Sequence, residues 1–373
     1  MARQSQISQL SIRGFKSIQR LEEFEMTDIN VLIGANGAGK SNFVSFFEML
    51  NEMMAGRLQS WTQKQGSADR IVSFGVKQTS ELSASIRFGK NGYDFRLEPT
   101  VDGGFVFADE STYFERPDYE AGKSYPLGSS GRKEARLPET YDPQTKKVNY
   151  YCYNALANWK VFHFHDTSDT AGVKRLGALH DNEYLRSDAS NLAAYLYMLR
   201  REYNDTYKQI RQTVQLAIPF FDDFVLKPKK LSTEEEQIRL LWNQRDSDYP
   251  FWPSQLSDGS IRFICLATAL LQPEPPSTII IDEPELGLHP YAISLLGSLI
   301  RSAANRMQVI VSTQSVPLVN EFSVQDLVIV DRKDGATTFH RHQEKDVEIW
   351  LEEYSLGELW EKNVLGGRPG ESQ

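Results

Sequence analysis

The stretch Gly34-Ala35-Asn36-Gly37-Ala38-Gly39-Lys40-Ser41 constrains this chain more than any other. It follows an apolar run, Ile29-Asn30-Val31-Leu32-Ile33, and precedes Ser41 to Met54, where Phe43, Phe46, Phe47 and Leu50 recur at helical spacing. Buried strand, glycine-rich turn and helix, in that order, are what a phosphate-binding loop requires. Asn36, Gly37 and Gly39 let successive backbone N–H groups converge on phosphate oxygens, and the helix start adds positive potential. Lys40 is suited to the terminal phosphates and Ser41 to a Mg²⁺ ion, so ATP and Mg²⁺ are the expected cofactors.

A second constellation lies far downstream. Thr278-Ile279-Ile280-Ile281 is a β-branched strand that ends on Asp282 and Glu283, two carboxylates at the end of a strand where a ligand crevice is expected. Asp282 is suited to hold Mg²⁺, and Glu283 to orient the attacking water or accept its proton. Pro284-Glu285-Leu286-Gly287-Leu288-His289-Pro290 then turns the chain into a helix from Tyr291 to Ala303. Ser257, before the short turn Asp258-Gly259-Ser260 and an apolar helix to Leu271, has the form of an anion-binding cap.

Between these motifs, Arg70 to Phe107 alternates and turns like antiparallel hairpins, with Ser83–Phe88 and Tyr93–Leu97 as strands. Arg116 to Lys147 lacks periodicity and reads as a surface excursion or mobile loop. Trp159 to Thr167 reads as a strand with His163 and His165 on one side and Phe162 and Phe164 on the other. The two histidines suit a structural or nucleotide-pocket hydrogen-bonding role; metal ligation would need Asp166 or His180 as well. Asn191 to Ile218 reads as one long helix, and Thr233 as the cap of a polar helix through Leu241. No heptad series persists, which excludes a long coiled coil. Gln308–Val311 and Leu327–Val330 read as strands, and strands alternating with helices predict a mainly parallel buried sheet. Leu356–Leu359 and the residues beyond read as a terminal hook and frayed tail.

Composition limits the setting. The 373 residues are 40% hydrophobic and 24% charged, as in a globular protein, and 50 acidic against 41 basic side chains leave a net charge of -9. A uniformly basic nucleic-acid coat is excluded, although the local pairs Lys146-Lys147, Arg200-Arg201 and Lys227 to Lys230 leave room for a groove or a solvated face. Cys152 and Cys265 read as buried thiols, fitting a reducing compartment. The polar start lacks an apolar signal segment, and no run approaches the roughly 20 apolar residues of a membrane span, so a cytoplasmic protein with no membrane partner is expected.

Taken with these motifs, the chain resembles an ATPase of the ABC-type superfamily in the SMC, Rad50 and RecF branch. More narrowly it resembles bacterial stand-alone AAA-family, SMC-like ATPases, some linked to phage defence. The resemblance implies an α/β P-loop NTPase of ABC-ATPase type, with a mostly parallel central sheet, an antiparallel β subdomain and a modest helical insertion. Residues 1–180 would be the N-terminal lobe, 181–250 the insertion, 251–345 the C-terminal lobe and 346–373 a hook and tail. It also implies that Leu256-Ser257-Asp258-Gly259-Ser260 is the signature segment, in which Ser257, Gly259 and Ser260 contact the γ-phosphate held by a second copy. Asp258 and Ser260 depart there from the commoner glycine and glutamine. Glu285 to His289 resembles the loop that links the two sites of such a dimer. Gln314, in Val311-Ser312-Thr313-Gln314-Ser315, stands where most relatives carry histidine; its amide can donate to phosphate or orient water but carries no proton charge. Gln78 is the candidate for a glutamine loop. The implied activity is ATP hydrolysis by a homodimer that ATP closes, controlling double-stranded DNA binding in genome maintenance or phage defence. The alternative is a regulatory ATPase that switches a separate effector protein, such as a nuclease, without binding DNA.

Overall fold

A computed structural model describes residues 5–115, 122–230 and 235–367. The chain divides into two compact units. One comprises Met1–Val161, Pro276–Ile280 and Ala304–Gln373, and the other Phe162–Pro275 and Ile281–Ala303.

The first unit is built on two six-stranded sheets. In one, the strands run in the order Ile18–Glu25, Ile7–Phe15, Leu82–Phe88, Asn91–Pro99, Phe105–Phe114 and Lys123–Pro126, every pair antiparallel. The expected hairpins are therefore present. In the other, the order is Ala336–His340, Leu327–Lys333, Ile29–Ile33, Gln308–Thr313, Thr278–Asp282 and Lys160–Phe162. Ile29–Ile33 pairs parallel with both neighbours, and Ala336–His340 closes one edge as an antiparallel hairpin. Nearly continuous burial along Ile29–Ile33, Thr278–Asp282 and Gln308–Thr313 is what a sheet covered on both faces demands.

Helix Lys40–Met54 carries the core of this unit. Phe43, Phe46, Phe47 and Leu50 are fully buried, each aromatic ring contributing about 1.5–3 kcal/mol on burial. Phe46 meets Phe15 edge-on at 5.6 Å, and Phe47 and Phe88 meet Trp159 at 6.1 and 5.9 Å. Part of the expected excursion is anchored. Arg116 to Ala121 lie outside the described residues, but Lys123–Pro126 is an edge strand and Val148–Asn158 a helix. The buried Glu110 carboxylate accepts from Tyr93 Oη at 2.8 Å, Arg136 N at 2.9 Å, Leu137 N at 3.0 Å and the Ser129 hydroxyl. One carboxylate satisfied by four donors fixes a loop that has no periodicity of its own.

The second unit is largely helical. The expected long helix is two, Leu192–Glu202 and Asn204–Ala217, broken at Tyr203, and neither is long enough for a coiled-coil arm. Thr233 lies outside the described residues, and residues 235–241 are not helical. Glu236–Ile238 pairs with Lys229–Lys230 and Gly177–Ala178, and Leu241–Gln244 with Phe221–Val225 and Pro250–Phe251. Tertiary pairing overrides a weak local preference there. Helix Asp258–Leu271 buries 12 of its 14 residues, as a helix that is apolar on nearly every side must. The strand after Trp159 is shorter than expected, Lys160–Phe162, yet alternation persists beyond it: the rings of His163 and His165 lie 6.3 Å apart, and those of Phe162 and Phe164 5.3 Å. Among the described residues no group of three metal-ligating side chains assembles and no helix is long and apolar enough to cross a membrane. Cys152 and Cys265 are free and buried, and burial pushes both thiols up to about 12.

Candidate functional site

The phosphate loop follows strand Ile29–Ile33 and is shaped by what encloses it. A Cβ on Gly34 would collide with the Val330 carbonyl, and one on Gly39, at φ 117°, with the Thr337 hydroxyl; Gly37 reaches φ 79° in open space. The hairpin formed by Leu327–Lys333 and Ala336–His340 therefore clamps the loop. Thr337 Oγ1 donates to Ala38 O at 2.7 Å and lies 2.6 Å from Ser17 Oγ, which accepts from Asn42 Nδ2 at 2.6 Å. Arg332 Nη1 donates to Gly37 O at 3.4 Å. Gly366 and Gly367 lie against Ile329 on the same hairpin, Gly367 also close to Gly34.

Lys40 is buried, and its ammonium donates to Gly34 O at 2.6 Å and Ala35 O at 3.1 Å. Asn36, Gly37 and Ser41 are exposed at the loop and at the first turn of the helix. Beside them opens a groove of about 420 Å³ whose lining includes Lys16, Ser17, Gly37, Asn42, Phe74 and Arg332. Phe74 presents its ring from a left-handed backbone, φ 58°, and burial lowers the Lys16 pKa. Gln314 is half-buried, and because Thr313 pairs with Ile33 it leaves its strand at the same end as the phosphate loop. Gln78 is exposed, in a turn closed by its own N–H to Gly75 O at 3.1 Å.

The other predicted residues belong to the second unit. Asp282 Oδ1 is shielded from solvent and has no hydrogen-bond donor. A carboxylate oxygen is acceptor-only, so such an orphan is suited to a hard cation. Glu283 follows at φ 42°. Ser257 caps helix Asp258–Leu271, its Oγ accepting Ser260 N at 3.1 Å and lying 2.8 Å from Ser260 Oγ. Asp258 faces Lys174 at 3.5 Å. A Cβ on Gly259 would strike the Gly287 carbonyl, so the turn and the loop after the acidic pair touch backbone to backbone.

Sequence reasoning passed over Arg262, although it is the one charged residue in the run Ser260 to Leu271. Its guanidinium donates to Phe164 O at 2.9 Å, His165 O at 3.3 Å and Leu286 O. It passed over Thr337 and Arg332 too, for which local pattern offers no signal.

A family model described as "AAA domain, putative AbiEii toxin, Type IV TA system" matches residues 29–320. Among solved structures, the chain is similar to an SMC head bound to the C-winged helix domain of ScpA, with a TM-score of 0.58 at 14% identity over 92% of this chain and 99% of that one. It is similar also to an SMC head with an extended coiled coil, bound to the C-terminal domain of ScpA derived from Pyrococcus furiosus, with a TM-score of 0.56 at 14% identity over 93% and 99%. No curated protein matches. The α/β fold, with its parallel sheet and antiparallel partner sheet, is that of an SMC head.

Proposed function

The chain belongs to the AAA domain family grouped with the AbiEii toxin of type IV toxin–antitoxin systems, and from that premise we propose that it binds and hydrolyses ATP between two copies of itself. The observation that carries this reading is the phosphate loop, enclosed so closely that only glycine fits at Gly34 and Gly39. Asn36, Gly37 and Gly39 offer backbone N–H groups to the phosphates, and Lys40 exchanges its two carbonyl partners for phosphate oxygens. The groove lined by Phe74 and Arg332 takes the adenosine end. Ser41 and Asp282 are the residues to hold Mg²⁺, which when bound neutralises phosphate charge. Glu283 accepts the proton of the attacking water, and Gln314 orients it through its amide.

Ser257, Gly259 and Ser260 act from the second copy, where the capped turn covers the γ-phosphate. Two identical surfaces then meet in an isologous contact that ATP favours through its higher affinity for the closed pair. In the first reading, closure controls double-stranded DNA binding in genome maintenance or phage defence, inside the cytoplasm. The basic pairs at Lys146, Arg200 and Lys229 are exposed and available to phosphates. In the second, closure switches a separate effector protein. The toxin–antitoxin description favours it, as do the SMC heads solved with a bound ScpA domain.

The test is the solution mass of Glu283→Gln with and without ATP·Mg²⁺, repeated with short duplex DNA. A dimer that forms only with ATP supports the paired site, and further stabilisation by DNA supports the first reading over the second. A wild-type chain that hydrolyses ATP while remaining monomeric at saturation overturns the paired site.

A further inference from the structure

The backbone of Glu283 is strained. Its φ of 42° lies in the left-handed region, which is unfavourable for a residue with a Cβ and persists only where neighbours impose it. Two bonds in series impose it here. Leu286 N donates to Glu283 O at 3.3 Å, and the Leu286 carbonyl accepts from Arg262 Nη1. Leu288 N continues the turn by donating to Glu285 O at 2.9 Å.

Arg262 is itself fixed. It is 5% exposed, and burial lowers its pKa. Its planar fork is spent on main-chain carbonyls of two separate segments, Leu286 on one side and Phe164 with His165 on the other. Asp258 and Glu285 contribute favourable charge. A lysine could not reproduce this set, because an ammonium offers no planar array of donors. Arg262 also stands one turn into the helix that Ser257 caps, and Gly259 in that turn packs on Gly287. The signature turn, the loop after Glu283 and the Phe164–His165 segment thus converge on one guanidinium.

We infer that Arg262 is a positioning residue that holds the turn from Glu283 to Leu288 in its strained form and ties it to the helix capped by Ser257. Closure of a second copy onto Ser257 then acts on the Glu283 carboxylate of the same chain through this guanidinium. The consequence for turnover rests on the role proposed above for Glu283; the consequence for the loop does not.

Hydrogen exchange on the full chain separates the two. In Arg262→Ala the amides of Leu286 and Leu288 should exchange about tenfold faster than in the wild type, while those of Val309 to Val311 keep their rates. Arg262→Lys should fall between, and sub-denaturing guanidinium should restore protection to the alanine variant. Unchanged exchange at Leu286 and Leu288 overturns the inference, and so does a loss of protection that extends to Val309–Val311, because the residue would then merely support the fold. In a wild type that turns over ATP, kcat should fall about tenfold with KM for ATP held within about twofold. A matched loss of both overturns the positioning role. A wild type without ATP turnover overturns the Glu283 reading instead, and the exchange rates alone then decide on Arg262.

Discussion

Lys40 turns its ammonium inward, onto the carbonyls of Gly34 and Ala35 at the start of the loop it serves. A triphosphate offers charged acceptors where these two carbonyls are neutral, and hydrogen bonds to charged acceptors are the stronger ones. Lys40→Ala should lower ATP affinity at least about a hundredfold, measured by titration calorimetry, and wild-type binding would remove the residue from the site. Asp282→Asn should weaken binding only when Mg²⁺ is present, because the amide adds a donor to an oxygen position now free of donors. Equal affinities in Mg²⁺ and in a chelator, for wild type and variant alike, would sink that assignment. Such residues are legible in sequence because their chemistry fixes their type and their spacing is local. Arg262 is legible only in part: a lone charge in an apolar run announces a buried cation but not the three carbonyls it meets.

At the scale of elements, the phosphate loop depends on a hairpin some 300 residues away in the chain, the Thr337 hydroxyl bonding Ala38 across a separation of 299. Thr337→Val keeps the volume and removes that bond together with the link to Ser17. It should cost about 1 kcal/mol of loop order, seen as roughly fivefold weaker ATP binding with little change in melting temperature. Unaltered affinity would mean that the loop holds its shape alone. Gly259→Ala forces a methyl group onto the Gly287 carbonyl, and an overpacked contact of this kind costs about 1–3 kcal/mol, visible as a lowered melting temperature. Long-range dependence of this sort also explains what sequence missed among the elements. Strand, loop and helix around the phosphate site are declared by local periodicity. The segment after Thr233 carries helical residues but is claimed as strands by partners far upstream, Gln237 pairing with Ala178. Arg136 and Leu137 are held by one buried glutamate, Glu110, on the strand Phe105–Phe114.

For the whole molecule, the proposed pairing places its closing surface at the capped turn of Ser257. Ser257→Arg places a long cation where two copies would meet. It should leave ATP affinity of the isolated chain within about twofold while abolishing the ATP-driven dimer and its turnover, as read by light scattering and phosphate release. A Ser257→Arg chain that still dimerises with ATP would show that the capped turn is not the surface that closes.

The Val330 contact to Gly34 and the Gly287 contact to Gly259 share one property: the partner in each is a main-chain carbonyl. A carbonyl is present whatever side chain its residue carries. Drift at position 330 therefore leaves the phosphate loop undisturbed, whereas no replacement at 34 is accommodated. A random library selected for nucleotide binding should keep glycine at 34 and accept many apolar residues at 330, so that the constraint is visible on one side of the contact and silent on the other.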